Sequence, residues 1–257
     1  MAMKKMLVIL SFLLFSGNVF SQHYIITYVQ KRILDEKSMV DFPEDIKEHK
    51  RELAKEEHKF VLKYADGISI YEDVNTNNPF AEKMKKATNS NVMISPNAFK
   101  DPYDLFFYKD LLKNQMLYRF NFANETFQGV DELLKMDWKI TDTVKQVKSY
   151  PCRKAVSNWK GYSFTAWFTD AIPIKSGPEK FDGLPGLIVK MEYGQIEIAL
   201  EKVEMSEKPF FIEKPKLTSD KRYTMEEARL QIEDEVKKLM EDSGKQDSKT
   251  GMVKKVY

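Results

Sequence analysis

The sequence predicts a mainly β, α+β fold: a curved antiparallel sheet with a short N-terminal helix and a C-terminal amphipathic helix packed on it. Three observations carry this. Short alternating segments follow one another at close spacing, with polar links and no helices between them. Two of them are joined by Asp66-Gly67, a strong hairpin signal because both turn positions need positive φ. Near the end, Met225, Ala228, Ile232, Val236 and Leu239 recur at helical spacing.

Taken in order, residues 23–33 are rich in β-branched and aromatic residues and read as an opening strand. Residues 43–56 read as a charged helix with Asp41 as its cap and Pro43 in its first turn. Phe60, Leu62 and Tyr64 alternate before the Asp66-Gly67 turn, and Ile68 and Ile70 resume after it. Residues 74–102 hold much Asn, Ser and Pro and read as a long loop that would act as a lid. Strands are expected at 104–109, 115–122, 125–129, 137–149, 151–159 and 161–169, then a hairpin over 187–204 turning at Gly194-Gln195. Thr224 and Glu227 have capping-box spacing at the start of the last helix.

The amino terminus reads as an address. Lys4 and Lys5 precede an apolar run over Met6–Phe15, and Val19 and Ser21 suit a signal-peptidase site. The run is too short to span a bilayer as a helix. The expectation is a cleaved signal peptide over 1–21, a single domain over 22–241, a flexible tail over 242–257, and a periplasmic or secreted protein. No transmembrane segment is expected after cleavage. Of the 257 residues, 41 are Lys or Arg and 39 Asp or Glu. The leader holds Lys4, Lys5 and no acid, so the formal +2 charge falls to zero without it. A neutral chain of this kind is not expected to bind nucleic acid.

Chemistry-bearing patterns are sparse. No nucleophile elbow, His-Glu-x-x-His or phosphate loop occurs. His23, His49 and His58 lack the spacing of a metal site, and neither a metal nor another cofactor is expected. The lone cysteine, Cys152, excludes an intramolecular disulfide. It reads as a buried small hydrophobe, with a reactive thiol as the alternative. Asp170, Glu179 and Asp182 read as solvated turn residues, with a shared acidic cleft as the alternative.

One segment has a distinct character. In residues 167–191, Pro185-Gly186 suits the centre of a type II turn, with glycine supplying positive φ. Gly177-Pro178 makes another bend, and Ile172, Phe181, Leu184 and Ile188 serve as apolar anchors. The connector reads as a structural element, or as a ridge or pocket lip that touches a partner through Trp167, Phe181, Leu184, Pro185 and Ile188.

Gly183-Leu184-Pro185-Gly186-Leu187-Ile188 spells the hexapeptide of the GLPGLI family of Bacteroidetes proteins, which this segment resembles. Tyr150–Ala155 resembles its Cys-x-x-Ala element, and Ala166–Thr169 its Trp-x-Thr element. Ile172-Pro173 and Gly177-Pro178 with Phe181 resemble further elements of the family. The resemblance is firm over about residues 136–200. It implies a secreted or periplasmic protein and brings no assigned activity.

Three functions are therefore expected in descending order. The first is a non-catalytic cell-envelope protein that binds an apolar ligand or lipoprotein-like cargo, with an apolar cavity between sheet and terminal helix. The second is an interaction or accessory module of an outer-membrane transport system, with an exposed apolar patch at Trp167, Phe181 and Leu184. The third is a hydrolase of unrecognised type, with perturbed acids near Asp170, Glu179 or Asp182.

Overall fold

Alternating apolar side chains become strands because one face of each can be buried. A computed structural model of the chain describes residues 23–40, 42–74 and 100–250. The expected leader, the centre of the expected lid and the end of the expected tail lie outside them. Among the described residues, eleven strands form one antiparallel sheet: β1 (His23–Arg32), β2 (His58–Ala65), β3 (Ile68–Asp73), β4 (Phe106–Asp110), β5 (Gln115–Phe122), β6 (Glu125–Asp131), β7 (Lys139–Val147), β8 (Tyr150–Trp159), β9 (Tyr162–Thr169), β10 (Leu187–Tyr193) and β11 (Ile196–Met205). Helix α1 (Glu44–Lys55) follows β1, and α2 (Met225–Thr250) ends the described chain.

The sheet order is β6-β5-β4-β3-β2-β1-β11-β10-β9-β8-β7. Two meanders thus meet where β1 pairs with β11. Strands β6 and β7 are the two edges, yet only residues 132–138 join them. Laid flat, eleven strands would separate these edges by about 48 Å at the usual interstrand spacing. The link reaches at most about 28 Å when fully extended. The sheet therefore has to curl until its edges approach, while staying open between β6 and β7.

Register gives the curl a single inner face. Ile26, Leu62, Tyr71, Phe107, Tyr118 and Gly129 stand opposite one another in a row across six strands. Tyr28, Phe60 and Met116 join them in the main core, with Ala155, Ala166 and Met191 from the second meander. A smaller cluster of Ile70, Phe106, Tyr108 and Leu117 occupies the other face, covered by Ile212 and Leu217. The segment between β11 and α2 therefore crosses that outer face. It then passes over the β6 edge, where the Tyr223 amide donates to the Gln128 carbonyl, 3.0 Å. The pairing occupies an edge that would otherwise expose unpaired backbone.

Gly129 makes this crossing feasible. A Cβ there would lie 2.0 Å from the Tyr223 carbonyl oxygen. The α2 start is fixed at the same place. The Met225 amide donates to Asp131 Oδ2, 2.8 Å, and Thr224 and Glu227 form the capping box read from their spacing.

Several expectations are refined. The Asp66-Gly67 turn has positive φ at both residues, 47° and 86°. Pro43 takes the N-cap position of α1 without a side-chain cap, and Asp41 lies outside the described residues. Helix α2 runs through Thr250, past residue 241, and no proline interrupts 225–250. In the connector, Gly183 and not Gly186 has positive φ, 83°. Gly186 is required for a different reason: a Cβ would lie 2.1 Å from the Thr169 carbonyl oxygen.

Candidate functional site

The connector between β9 and β10 folds inward and fills part of the curl. Trp167, Phe181, Leu184 and Ile188 are buried, and only Pro185 of the expected contact residues is exposed. The exposed apolar patch expected at Trp167, Phe181 and Leu184 is therefore not formed. These side chains anchor the connector because burying each is worth roughly 1.5–3 kcal/mol. The polar backbone they drag inside needs partners, and the sheet supplies them. The Tyr28 hydroxyl donates to the Ile188 carbonyl, 2.6 Å. The pairing of β9 with β10 shifts register between Ile188 and Lys190. Ser69 and Ser176 share a hydrogen bond, 3.2 Å, and Trp138 Nε1 donates to the Asp182 carbonyl, 2.9 Å.

Lys109 is the largest commitment of this kind. It shares a strand face with Phe107 and is wholly buried. Its Nζ donates to the Phe181 carbonyl, 2.7 Å, and the Gly177 carbonyl, 3.0 Å, and lies 3.8 Å from Asp182 Oδ2. Burial lowers the Lys109 ammonium to about 8, against the pull of Asp182 and Glu179. Burial likewise raises the Asp182 carboxyl, with Lys109 opposing.

Glu179 and Asp182 are thus buried, not solvated as expected. Glu179 holds a left-handed backbone, φ 48°, uncommon outside glycine. It accepts from the Tyr193 hydroxyl, 2.8 Å, and from Lys180 Nζ, 3.1 Å. Asp170 stays apart, exposed beside Arg153 at 3.7 Å.

Between this inserted connector, the inner sheet face and α2 lies a cavity of about 590 Å³. Phe107, Phe120, Phe122, Trp159 and Tyr193 give it aromatic walls, and Met225, Ala228 and Ile232 of α2 close it from the helix side. Polar groups on the lining include Glu179, Lys180 and Arg229. Helix α2 is held across it by two contacts with the β8–β9 turn. The Tyr162 hydroxyl donates to Glu233, 2.7 Å, and Lys160 pairs with Glu226 at 3.4 Å. An apolar cavity of this size with a few placed polar groups has the form of a small-molecule site. Sequence reasoning named none of its aromatic walls, because their convergence depends on which strands become neighbours.

Cys152 lies elsewhere, buried in a groove of about 460 Å³ formed with Lys145, Phe168 and Thr169. The residue is 1% exposed, and burial pushes the thiol's pKa up. A buried thiol with little thiolate is a slow nucleophile. The folded protein is expected to react with a thiol reagent at least about tenfold more slowly than the denatured chain; equal rates, measured by absorbance of the released chromophore, would contradict this. His23 and His58 sit at opposite ends of the β1–β2 pairing, near Asp66 and Asp73 respectively. Among the described residues no three His, Cys, Asp or Glu side chains gather as a metal site, and no helix is long and apolar enough to cross a membrane.

The geometry defines a curled antiparallel sheet enclosing an aromatic cavity beneath a helix. A family model described as "Protein of unknown function (Porph_ging)" matches residues 158–190, the stretch that holds β9 and the connector. The match carries this description and not the name the hexapeptide suggested. No curated protein matches the chain. Two solved structures, described as PNGF-II in a C2 and in a P21 space group, are similar with TM-scores of 0.46 and 0.47 and 16% identity. Each similarity covers 74% of this chain but only 28% and 29% of the other. Likeness of that degree carries no argument about this protein.

Proposed function

We propose that the protein is a non-catalytic carrier of the cell envelope, exported by its leader, that holds an apolar ligand or the acyl portion of a lipoprotein-like cargo in the cavity under α2. The observation that supports this is the cavity of about 590 Å³ with aromatic walls between the inner sheet face and α2. A purely structural inner face would be packed to crystal-like density. The interaction-module reading loses its expected surface, because Trp167, Phe181 and Leu184 are internal. For the hydrolase reading, Asp182 has a raised pKa but does not line the cavity, Asp170 lies exposed beside Arg153, and Glu179 lines the cavity but is engaged by Tyr193 and Lys180.

The test is binding of a neutral fluorescent apolar probe, N-phenylnaphthylamine, to purified protein. Saturable binding is expected, and Ile232→Trp, which adds volume from the helix side, is expected to weaken it at least about tenfold. An unchanged circular dichroism spectrum checks the fold of the variant. Absence of saturable binding to the parent protein would refute the carrier reading.

A further inference from the structure

The polar end of the cavity has a charge balance that selects among ligands. Lys180 Nζ lies over three rings, 4.7 Å from the Phe181 centroid, 5.4 Å from Tyr193 and 5.9 Å from Phe107. The ring faces and the Glu179 carboxylate hold the ammonium in place. An ammonium has three donors, and Glu179 takes one of them. Glu179 and Lys180 both line the cavity, with side chains 9% and 18% exposed. Immediately behind them, Lys109 is matched by Asp182. Further along the lining, Arg229 lies between Glu226 and Glu233, and Lys31 pairs with Glu197. Lys180, Lys109 and Arg229 therefore each already have an anion, Lys31 shares Glu197 with Lys190, and Arg32 on the same lining is solvent-exposed.

A charged ligand head at Glu179 and Lys180 would upset this balance. A carboxylate brings a third charge beside Glu179, and a quaternary ammonium beside Lys180, in a place where water cannot screen it. A hydroxyl does neither. Its oxygen accepts from Lys180 Nζ while its proton is donated to Glu179, so both groups gain a hydrogen bond without a net charge. We propose that the cavity binds an uncharged, hydroxyl-bearing single-chain amphiphile, polar end toward Glu179 and Lys180. This rests on the carrier reading and names the ligand class for the same cavity.

The experiment is competition against N-phenylnaphthylamine by tetradecanol, tetradecanoate and tetradecyltrimethylammonium, which share a chain and differ in head charge. For the parent protein the alcohol is expected to compete at least about tenfold more tightly than either ion, a difference of about 1.4 kcal/mol. Glu179→Gln leaves Lys180 unmatched, so tetradecanoate is expected to move to first rank. Lys180→Gln leaves Glu179 unmatched, so the ammonium amphiphile is expected to move to first rank. If the parent ranks an ion first, or the variants leave the order unchanged, the head-group assignment is overturned while the carrier reading stands. If the probe itself does not bind, both are overturned. The parent ranking decides the matter even where a variant folds poorly.

Discussion

Replacing Lys109 with methionine is expected to destabilise the protein by about 3–5 kcal/mol, the cost of breaking one side of a buried ion pair. The side chain is enclosed, and two connector carbonyls and Asp182 depend on it. Methionine fills similar space but leaves the two carbonyls without this donor and Asp182 without its countercharge. Adding Asp182→Asn is expected to recover part of the loss, since the stranded charge is then gone while the two carbonyls stay unpaired. Urea unfolding of the parent, single and double variants measures both steps. A single-variant loss under about 1 kcal/mol would show that the connector does not depend on this contact.

The same residue sets a pH dependence whose sign follows from its lowered pKa. Below pH 8 both the folded and the unfolded chain carry the Lys109 proton. Between about 8 and the ordinary 10.5, the folded protein has shed a proton that the unfolded chain still binds. Stability from this group therefore rises with pH through that window, by about 1.4 kcal/mol per unit at most. The methionine variant lacks the transition, so the stability gap between parent and variant is expected to widen from pH 8 to 10.5. A gap that stays flat would mean that Lys109 titrates as it does in solvent.

How much of this was readable beforehand differs by level. The strands were, because alternation over Phe60–Tyr64 or Leu187–Tyr193 is a local property that burial of one face enforces. The expected and observed ranges of β5 coincide, α1 was placed by its charged, helix-favouring run, and the start of α2 by its spacing and capping box. The site was much less legible. Glu179 and Asp182 lie among Gly and Pro, where polar residues read as solvated turns; only the inward fold of the connector buries them. One signal was available: Lys109 shares strand parity with Phe107, and a lysine on an apolar strand face needs a buried partner. The cavity itself depends on the β1–β11 junction and on the short β6–β7 link, which are facts of pairing and not of any local pattern.

Two glycine substitutions should separate the sheet from the cavity. Each places a Cβ about as close to a backbone oxygen, 2.1 Å for Gly186 and 2.0 Å for Gly129, and neither oxygen can swing away as a side-chain end would. Their neighbours differ. Gly186 faces Thr169 at the root of the β9–β10 pair, with Leu187, Ile188 and Val189 all fully buried beside it. Relief there requires moving the core, so Gly186→Ala is expected to cost several kcal/mol and lower the midpoint of the whole unfolding transition. Gly129 faces Tyr223, one residue before the α2 capping box and two before Met225. Relief there requires only that the crossing segment lift from the β6 edge, breaking the Tyr223–Gln128 and Met225–Asp131 bonds and the Tyr118 hydroxyl bond to the Tyr223 carbonyl, 2.7 Å. Gly129→Ala is therefore expected to free α2 while most of the sheet stays folded. N-phenylnaphthylamine binding should fall at least about tenfold, and amide exchange should accelerate over 223–238 before it does in β1 or β10. If Gly129→Ala instead lowers sheet protection as much as Gly186→Ala does, α2 is an integral part of the core and not a separable cover over the cavity.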